Sequence, residues 1–256
     1  MDPSLTPSPS IVLLPGLGAN ARLFGPQLDA FADRGAFVPA WPDPIDPSRG
    51  VEGVADSLEG ELQGGGRLHR DAVLVGFSFG SQVALSMARR MLERDEAPPR
   101  AIVLVSGLRR TSQLTTRFRL QVAASTLLPD AAIGWAAAEL IAQPFARACG
   151  LDHEQTLELQ RMAAELDVAQ FRRLARVACR WRFEDTDERR LREVGVRILH
   201  LHSERDPVIP PPPATIDGVE RLAERAHLLT WTHAVLVNRL IERALAGESE
   251  ARSGRV

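Results

Sequence analysis

Short runs rich in Val, Ile and Leu alternate along this chain with segments of helical periodicity, and this alternation limits the possible folds most. It is typical of a mostly parallel sheet with helices on both faces, because each parallel connection has to cross over the sheet. These Val/Ile/Leu runs do not show the alternation of a half-exposed strand, as expected for strands buried on both faces. We expect strands at residues 11–14, 36–40, 72–76, 101–106, 196–201 and 218–222. The predicted fold class is therefore α/β.

The clearest helical segment covers residues 82–93, where apolar side chains recur at helical spacing. A second helical segment begins near Thr232. Its apolar stripe consists of Leu236, Leu240, Ile241 and Ala244. Both segments are expected to be crossover helices that cover the sheet. A single core domain is the default for a chain of 256 residues, because α/β domains often reach this size.

The alternation stops between Gly107 and Glu193, where no strand-like run occurs and Ala/Leu/Arg-rich helical sequence takes over. This predicts an all-helical cap at residues 108–193, inserted between core segments 1–107 and 194–256. Pro129 and Pro144 are expected to divide the cap into at least three helices, because a proline breaks the hydrogen-bond ladder of a helix.

Composition argues against several classes of protein. The formal net charge of −2 gives no general attraction to nucleic acid or to an anionic membrane. No apolar run reaches the roughly 18 residues that suggest a membrane span, and the Pro/Ser-rich start lacks the features of a signal peptide. We therefore expect a cytoplasmic protein. Cys149 and Cys179 show neither metal-ligand nor disulfide-framework spacing, and we expect no metal and no cofactor.

The pentapeptide Gly-Phe-Ser-Phe-Gly at residues 76–80 lies between an expected buried strand and an expected helix. A serine at the apex of such a strand–turn–helix is the arrangement of a nucleophile, since the strained turn lifts its hydroxyl above the sheet. The two glycines suit a strained backbone and a close helix–strand approach. Ser78 is therefore the candidate nucleophile. The alternative is a plain turn with a capping serine.

The first expected strand runs into a glycine-rich turn, Leu-Pro-Gly-Leu-Gly, at residues 14–18. The tetrahedral intermediate of acyl transfer needs donors directed at its oxyanion. The backbone amides of Leu17 and Phe79 are the candidate donors. A dinucleotide-binding turn is the alternative, but the third glycine and the acid at the end of a second strand are missing.

A serine nucleophile needs a base, and an imidazole base needs an orienting acid. Asp206 follows the strand expected at residues 196–201, so its carboxylate should reach the same edge of the sheet as Ser78. Glu204 is the alternative acid. For either residue, the other possibility is a charge that is merely solvated in a loop.

Two histidines follow the acid, and both are candidates for the base. His227 lies in the loop expected before the last helix, where its side chain can swing over the sheet edge. His233 directly follows Thr232, a good N-cap, and would lie in the first helical turn. His227 is favoured, and His233 is the alternative base. His200 and His202 alternate on the preceding strand and are expected to be structural or to support the site.

Taken together, these segments resemble the small cap-bearing serine hydrolases of the α/β-hydrolase superfamily, including carboxylesterases that cleave the methyl ester of a pimeloyl carrier protein. The matching segments are residues 14–18, 76–80, 202–210 and 226–233. The resemblance implies an α/β-hydrolase sheet, with Asp206 as the catalytic acid and His227, the first of the two histidines, as the base. It covers nearly the whole chain outside the cap.

The resemblance implies hydrolysis of a carboxylic ester, or a related acyl compound, through a Ser-His-Asp triad and an acyl-enzyme. Thioesterase, lactonase or amidase activity would use the same triad. An alternative of another class is a non-catalytic binding protein with a hydrolase fold. The expected partner is a small-molecule acyl substrate.

Four arginines flank the first expected helix of the cap and suggest a further partner. They are Arg109, Arg110, Arg117 and Arg119. Together they could steer an acidic substrate or an acyl carrier protein towards the site. The alternative is a solvated basic face.

Overall fold

The computed structural model describes residues 10–125 and 127–247. Within these residues, five parallel strands form one sheet in chain order. They are β1 (Ile11–Leu14), β2 (Val73–Phe77), β3 (Ala101–Val105), β4 (Arg197–Ser203) and β5 (Val219–Leu222). The predicted α/β class with a parallel sheet is confirmed.

The strand predicted at residues 36–40 is wrong. In the described chain Phe37 makes one isolated parallel bridge, to Val12. Its N–H donates to the Ile11 carbonyl at 2.9 Å, and its carbonyl accepts from the Leu13 N–H at 2.8 Å. The next N–H of the ladder would come from Pro39, which has none. Pairing therefore stops after one residue.

Eleven α-helices accompany the sheet in the described residues. They are α1 (Gly25–Ala30), α2 (Gly50–Gly64), α3 (Phe79–Glu93), α4 (Thr116–Ser125), α5 (Asp130–Trp135), α6 (Ala142–Ala148), α7 (His153–Ala164), α8 (Val168–Ala178), α9 (Asp185–Glu193), α10 (Leu229–Thr232) and α11 (Ala234–Ala246). Short 3₁₀ helices lie at Ala21–Phe24, Ala32–Arg34, Pro47–Arg49 and Thr111–Gln113.

Side chains of the strands alternate between two core layers, as the pleat requires. One layer joins strand residues such as Leu74 to buried residues of α2 and α3. The other joins strand residues such as Val75 to buried residues of α11. Helices therefore cover both faces of the sheet, as predicted.

The described residues between β3 and β4 contain helices and no strand, in agreement with an inserted helical segment. The last of these helices, α9, packs against α3 and β4 rather than standing apart from the sheet. The division into core segments 1–107 and 194–256 and a cap at 108–193 stays a prediction.

The two prolines of this insertion act differently. Pro129 immediately precedes α5 and is its N-cap residue, so it separates helices as expected. Pro144 is the third residue of α6 and does not end the helix. A π-helix at Ala136–Ile141 directly precedes α6. The wider π turn accommodates a proline that cannot donate to the carbonyl of Leu140 and would collide with it in regular α geometry.

None of the helices in residues 10–125 and 127–247 has the length and apolar character needed to cross a membrane. The longest, α2 and α3, have 15 residues each. That corresponds to about 22 Å at 1.5 Å per residue, less than the roughly 30 Å of a hydrocarbon core. The cytoplasmic location stays a prediction.

Candidate active site

Ser78 occupies the junction between β2 and α3 with strained backbone angles of φ 52° and ψ −115°. A positive φ at a residue other than glycine costs on the order of 1–3 kcal/mol and persists only where its surroundings impose it. Here the Ser78 N–H donates to the Val105 carbonyl at 3.0 Å, and the Ser78 carbonyl accepts from the Ser81 N–H at 3.1 Å. The serine predicted as nucleophile therefore sits at a sharp, fixed turn.

The two glycines of this turn have a steric reason. A Cβ on Gly80 would lie 2.0 Å from the carbonyl oxygen of Leu14. A Cβ on Gly76 would lie 2.6 Å from the carbonyl oxygen of Gly80. Both neighbours are backbone atoms, which cannot rotate away as a side chain can. Only glycine allows α3 to approach β1 and β2 this closely.

The glycine-rich turn after β1 lies directly against the serine turn. A Cβ on Gly16 would come within 3.2 Å of the Ser78 Cβ. The Gly16 carbonyl accepts from the Ala19 N–H at 3.2 Å, which closes a tight turn around Leu17. Phe79 is the first residue of α3, where amides have no acceptor inside the helix. The two candidate oxyanion donors thus belong to segments that border Ser78.

Asp206 follows β4, and its side chain is fully buried. Its Oδ1 accepts hydrogen bonds from the N–H groups of Val208 at 2.7 Å and Ile209 at 3.0 Å. Its Oδ2 lies 2.8 Å from Nδ1 of His227. Glu204, the alternative acid, is exposed. The fold therefore brings Asp206, and not Glu204, to an imidazole.

His227 lies in the loop between β5 and α10, and only 4% of its surface is exposed. Its ring packs at a tilt on the ring of Phe77, with 5.1 Å between centroids. Phe77 immediately precedes Ser78, so the imidazole lies beside the serine turn. Because a carboxylate only accepts, the contact with Asp206 requires the hydrogen on Nδ1. In the neutral ring, Nε2 is then free to accept a proton.

The expected N-cap at Thr232 is wrong. Thr232 is the last residue of α10, and His233 is the single residue between α10 and α11. The His233 Nδ1 lies 2.9 Å from the Thr232 hydroxyl, and its Nε2 lies 3.9 Å from Oε2 of Glu224. The His233 imidazole therefore contacts Thr232 and Glu224 and not Asp206. Its place as the alternative base is not supported by any contact with the acid.

Ser203, which the sequence did not single out, joins the loop that carries the acid to the loop that carries the base. Its hydroxyl donates to the carbonyl of Glu224. It accepts from the N–H groups of Arg205 at 3.2 Å and Ala226 at 3.3 Å. A serine at the end of a strand carries no signal in the sequence that would predict these three bonds.

The inserted helix α6 also reaches His227. The ring centroid of Phe145 lies 6.3 Å from that of the imidazole. Cys149, one turn later, is buried, and burial raises the pKa of its thiol. Cys149 is the C-cap residue of α6. Nothing in the sequence indicates that Phe145 reaches the imidazole.

Two of the four arginines expected to form a basic face, Arg109 and Arg110, are buried. Arg109 is buried, and its Nε donates to Oε2 of Glu188 at 2.9 Å. Arg110 also pairs with Glu188. Burial acts to raise the pKa of Glu188, but the hydrogen bonds and charges of the two arginines hold it at about 2. Only Arg117 and Arg119 of the four are exposed, so steering of an acyl carrier protein lacks half of its basis.

A cavity of about 130 Å³ lies between the glycine-rich turn and helices α7 and α8. Its apolar lining includes Trp41, Leu166, Phe171 and Leu174. The Trp41 ring meets the Phe79 ring edge-on, with 5.3 Å between centroids. Gly18 of the glycine-rich turn therefore lines the cavity, and Trp41 connects the cavity to Phe79.

Metal-binding side chains do not gather in the parts of the chain that the structure describes. No group of three or more His, Cys, Asp or Glu residues there could hold a metal ion. Cys149 and Cys179 are both free of disulfide bonds.

Comparison with known proteins identifies the family of this chain. The sequence model described as the alpha/beta hydrolase family matches residues 11–240, which span the sheet and every candidate site residue. The chain belongs to the alpha/beta hydrolase family. The superfamily resemblance noted in the sequence is thereby confirmed.

Several solved structures are similar to this chain over nearly its full length. A thermophilic esterase from Thermogutta terrifontis has a TM-score of 0.71 at 16% identity, covering 93% of this chain and 89% of its own. An esterase from Exiguobacterium antarcticum has a TM-score of 0.67 at 16% identity, covering 92% and 91%. The type II thioesterase of the borrelidin biosynthetic cluster has a TM-score of 0.61 at 20% identity, covering 95% of both chains.

A search among curated protein sequences finds no match to this hydrolase. The identities to the solved structures are low, so these similarities support the fold and leave the activity to be argued from the site.

Proposed function

We propose that this hydrolase cleaves carboxylic esters, with Ser78 as nucleophile, His227 as general base and Asp206 as the orienting acid. The observation that carries the proposal is the 2.8 Å contact between His227 Nδ1 and Asp206 Oδ2, made next to a strained serine. A nucleophile, a base and an acid that holds the base are the three groups that acyl transfer to serine needs.

In the first half-reaction, Ser78 Oγ attacks the carbonyl carbon of the ester while its proton passes to His227 Nε2. A C–O bond forms, and the carbonyl π electrons move to the oxygen. Asp206 stabilises the imidazolium that results. The tetrahedral intermediate then releases the alcohol, whose oxygen takes the proton from His227. Ser78 is left carrying the acyl group as an ester.

In the second half-reaction, water attacks the acyl-enzyme. His227 takes a proton from the water as the new C–O bond forms. The same proton returns to Ser78 Oγ when the bond between serine and the acyl carbon breaks. The carboxylic acid leaves, and the enzyme returns to its starting state.

The oxyanion of each tetrahedral intermediate is proposed to accept hydrogen bonds from the amides of Leu17 and Phe79. The turn that carries Leu17 approaches Ser78 through Gly16, and Phe79 directly follows the nucleophile. Removing one such donor typically costs about 2.7–4 kcal/mol of barrier. The dipole of α3 adds positive potential at the same place.

The acyl group is proposed to occupy the cavity between the glycine-rich turn and helices α7 and α8. The apolar part of its lining, which includes Trp41 and Phe171, suits a hydrocarbon chain, although Glu165 and Asp167 also line it, and its volume of about 130 Å³ suits a small group. Small-molecule acyl esters are therefore the proposed substrates. Residues 108–193 would act as a cap that encloses this space.

A fluorophosphonate probe tests the nucleophile. We expect labelling of the wild-type protein at Ser78, identified by peptide mass spectrometry, and none in Ser78→Ala. Ser112→Ala is the matched control, because Ser112 is exposed and lies outside the site. Absence of labelling in the wild type would instead indicate a non-catalytic binding protein.

A substrate panel then tests the reaction. It contains p-nitrophenyl esters of increasing acyl length, together with a thioester, a lactone and an anilide of one acyl group. We expect the esters to give the highest kcat/KM. A higher kcat/KM for the thioester, lactone or anilide would transfer the proposal to that activity, which the same three residues would serve.

A further inference from the structure

Two histidines of β4 lie buried directly behind Asp206, and the mechanism above uses neither. His200 and His202 point to the same face of the sheet, and both are fully buried. The His202 Nε2 lies 3.2 Å from the carbonyl oxygen of Ile209 and 3.8 Å from Oδ2 of Asp206. The His200 Nε2 lies 3.3 Å from the His202 Nδ1.

These contacts define the position of each imidazole hydrogen. A carbonyl oxygen only accepts, so the His202 Nε2 carries the hydrogen that it donates to Ile209. The His202 Nδ1 is then a lone pair, and the His200 Nε2 donates to it. This leaves the His200 Nδ1 as a bare acceptor, and it is a buried atom without a hydrogen-bond partner among the described residues.

Burial disfavours the charged form of both rings. Burial lowers the pKa of His202, against the opposing effect of the Asp206 charge. Burial also lowers the pKa of His200 well below its usual value, and the neighbouring His202 and Arg109 act in the same direction. A neutral His202 has one ring hydrogen, which the Ile209 carbonyl places on Nε2, and the His200 Nε2 can then donate to the Nδ1 lone pair.

The hydrogen bond from His202 holds the loop that shapes the Asp206 carboxylate. Ile209 accepts from His202 through its carbonyl, and its own N–H donates to Asp206 Oδ1 at 3.0 Å. Val208 donates to the same oxygen at 2.7 Å. With Oδ1 fixed in this way, Oδ2 is the atom that remains for His227.

We propose that His202 is a positioning residue for Asp206, held in the required tautomer by His200. The inference rests on the proposed function, in which Asp206 orients the base His227. The His202 N–H anchors the Ile209 end of the loop and presents its dipole to the carboxylate. Both effects keep Oδ2 aligned with the imidazole, and a displacement of about 1 Å at such a site can cost a hundredfold in rate.

Two amide variants separate this role from simple filling of the core. In His202→Gln the side-chain amide reaches the position of the imidazole Nε2 and still donates to Ile209. In His202→Asn the amide reaches only the level of Nδ1, so that donor is lost. Both variants are neutral and polar, and their thermal unfolding is measured in parallel.

We expect kcat on a p-nitrophenyl ester to fall roughly 10- to 100-fold in His202→Asn, with KM changed less than about threefold. His202→Gln should recover most of this loss. The acid limb of the kcat/KM profile should move to lower pH in His202→Asn, because a poorly aligned Asp206 stabilises the imidazolium less. Equal kcat in both variants, or an unmoved limb, would overturn the inference.

A second measurement does not depend on variants or on activity. ¹⁵N NMR of the imidazoles in the full chain should show His202 protonated at Nε2 and unprotonated at Nδ1. The opposite tautomer would also overturn the inference. Asp206→Asn is assayed alongside: full activity there would reject the proposed function, whereas loss there with unaffected His202 variants would reject the positioning role alone.

Discussion

The imidazole of His227 and the carboxylate of Asp206 meet through a single contact of 2.8 Å between Nδ1 and Oδ2, although 21 positions separate them in the chain. The carboxylate is fully buried and the imidazole nearly so. Charge stabilisation is stronger in such a water-poor setting than at the surface. Asp206 is therefore well placed to stabilise a protonated His227 during the proposed reaction.

Replacing the nucleophile should abolish hydrolysis. Ser78→Ala removes the only hydroxyl proposed to bond the acyl group, and we expect kcat to fall by about six orders of magnitude, as in other triads. The measurement is steady-state hydrolysis of the best ester in the panel, with circular dichroism to verify the fold. Retained activity in this variant would rule out Ser78 as the nucleophile.

The two candidate acids should differ sharply. Asp206→Asn cannot hold the imidazole in its working tautomer, and we expect a fall in kcat of about 10⁴-fold. Glu204→Gln alters an exposed side chain two residues away and should change kcat less than about twofold. Comparable losses in the two variants would contradict the assignment of the acid.

The two candidate bases should differ in the same way. His227→Ala removes the proton acceptor, and we expect a loss in kcat close to that of Ser78→Ala. His233→Ala disturbs a partly exposed residue that contacts Thr232 and Glu224, so its kcat should stay within about fivefold of wild type. If the His233 variant suffered the larger loss, the alternative base would be the correct one.

The folded protein should lose stability as the pH falls. The pKa values of His200 and His202 are lowered by burial, so below about pH 6.5 the unfolded chain binds protons that the folded chain does not. Each such histidine should cost about 1.4 kcal/mol per pH unit until its folded pKa is reached. Glu188 has its pKa lowered to about 2 and should add a further loss between about pH 4.5 and 2.

Urea unfolding between pH 8 and 5 measures this dependence. His200→Leu should flatten the slope below pH 6.5, because it removes one of the two groups. His153→Leu is the matched control, since His153 is exposed. A slope that is unchanged in His200→Leu would mean that His200 does not contribute to the acid sensitivity.

The cavity should set the preferred acyl length. Phe171 lines the cavity, so Phe171→Ala enlarges the space available to the acyl chain. Each additional methylene that fits an apolar pocket is worth about 10-fold or more in kcat/KM. We therefore expect the optimum of the ester series to move to longer chains. Leu157→Ala, at an exposed position outside the cavity, is the control. An unchanged optimum in Phe171→Ala would place the acyl group elsewhere.

Much of the serine turn could be predicted from sequence because its determinants are local. A buried strand, two glycines and an amphipathic helix are consecutive in the chain, and together they define the bend at Ser78. The fold class followed from the same kind of evidence. Local patterns failed where a single missing donor mattered: residues 36–40 have the composition of a strand, yet Pro39 ends the pairing after Phe37.

Contacts between distant segments were decided only by the tertiary structure. The sequence favoured Asp206 over Glu204 as the acid and His227 over His233 as the base, but local patterns could not show that the favoured pair meets. The fold buries Asp206 against His227, leaves Glu204 exposed and turns His233 towards Glu224. The burial of Arg109 with Glu188, and the bonds of Ser203, likewise depend on segments that are far apart in the chain.

The sequence by itself determined the class of fold and the serine at the turn between β2 and α3, because periodicity and turn chemistry act over a few neighbouring residues. The tertiary structure decided which acid meets which imidazole and which histidines lie behind them. The physical reason is that a hydrogen bond needs its two atoms within about 3 Å, and for residues tens of positions apart only the packing of the whole sheet and its helices sets that distance.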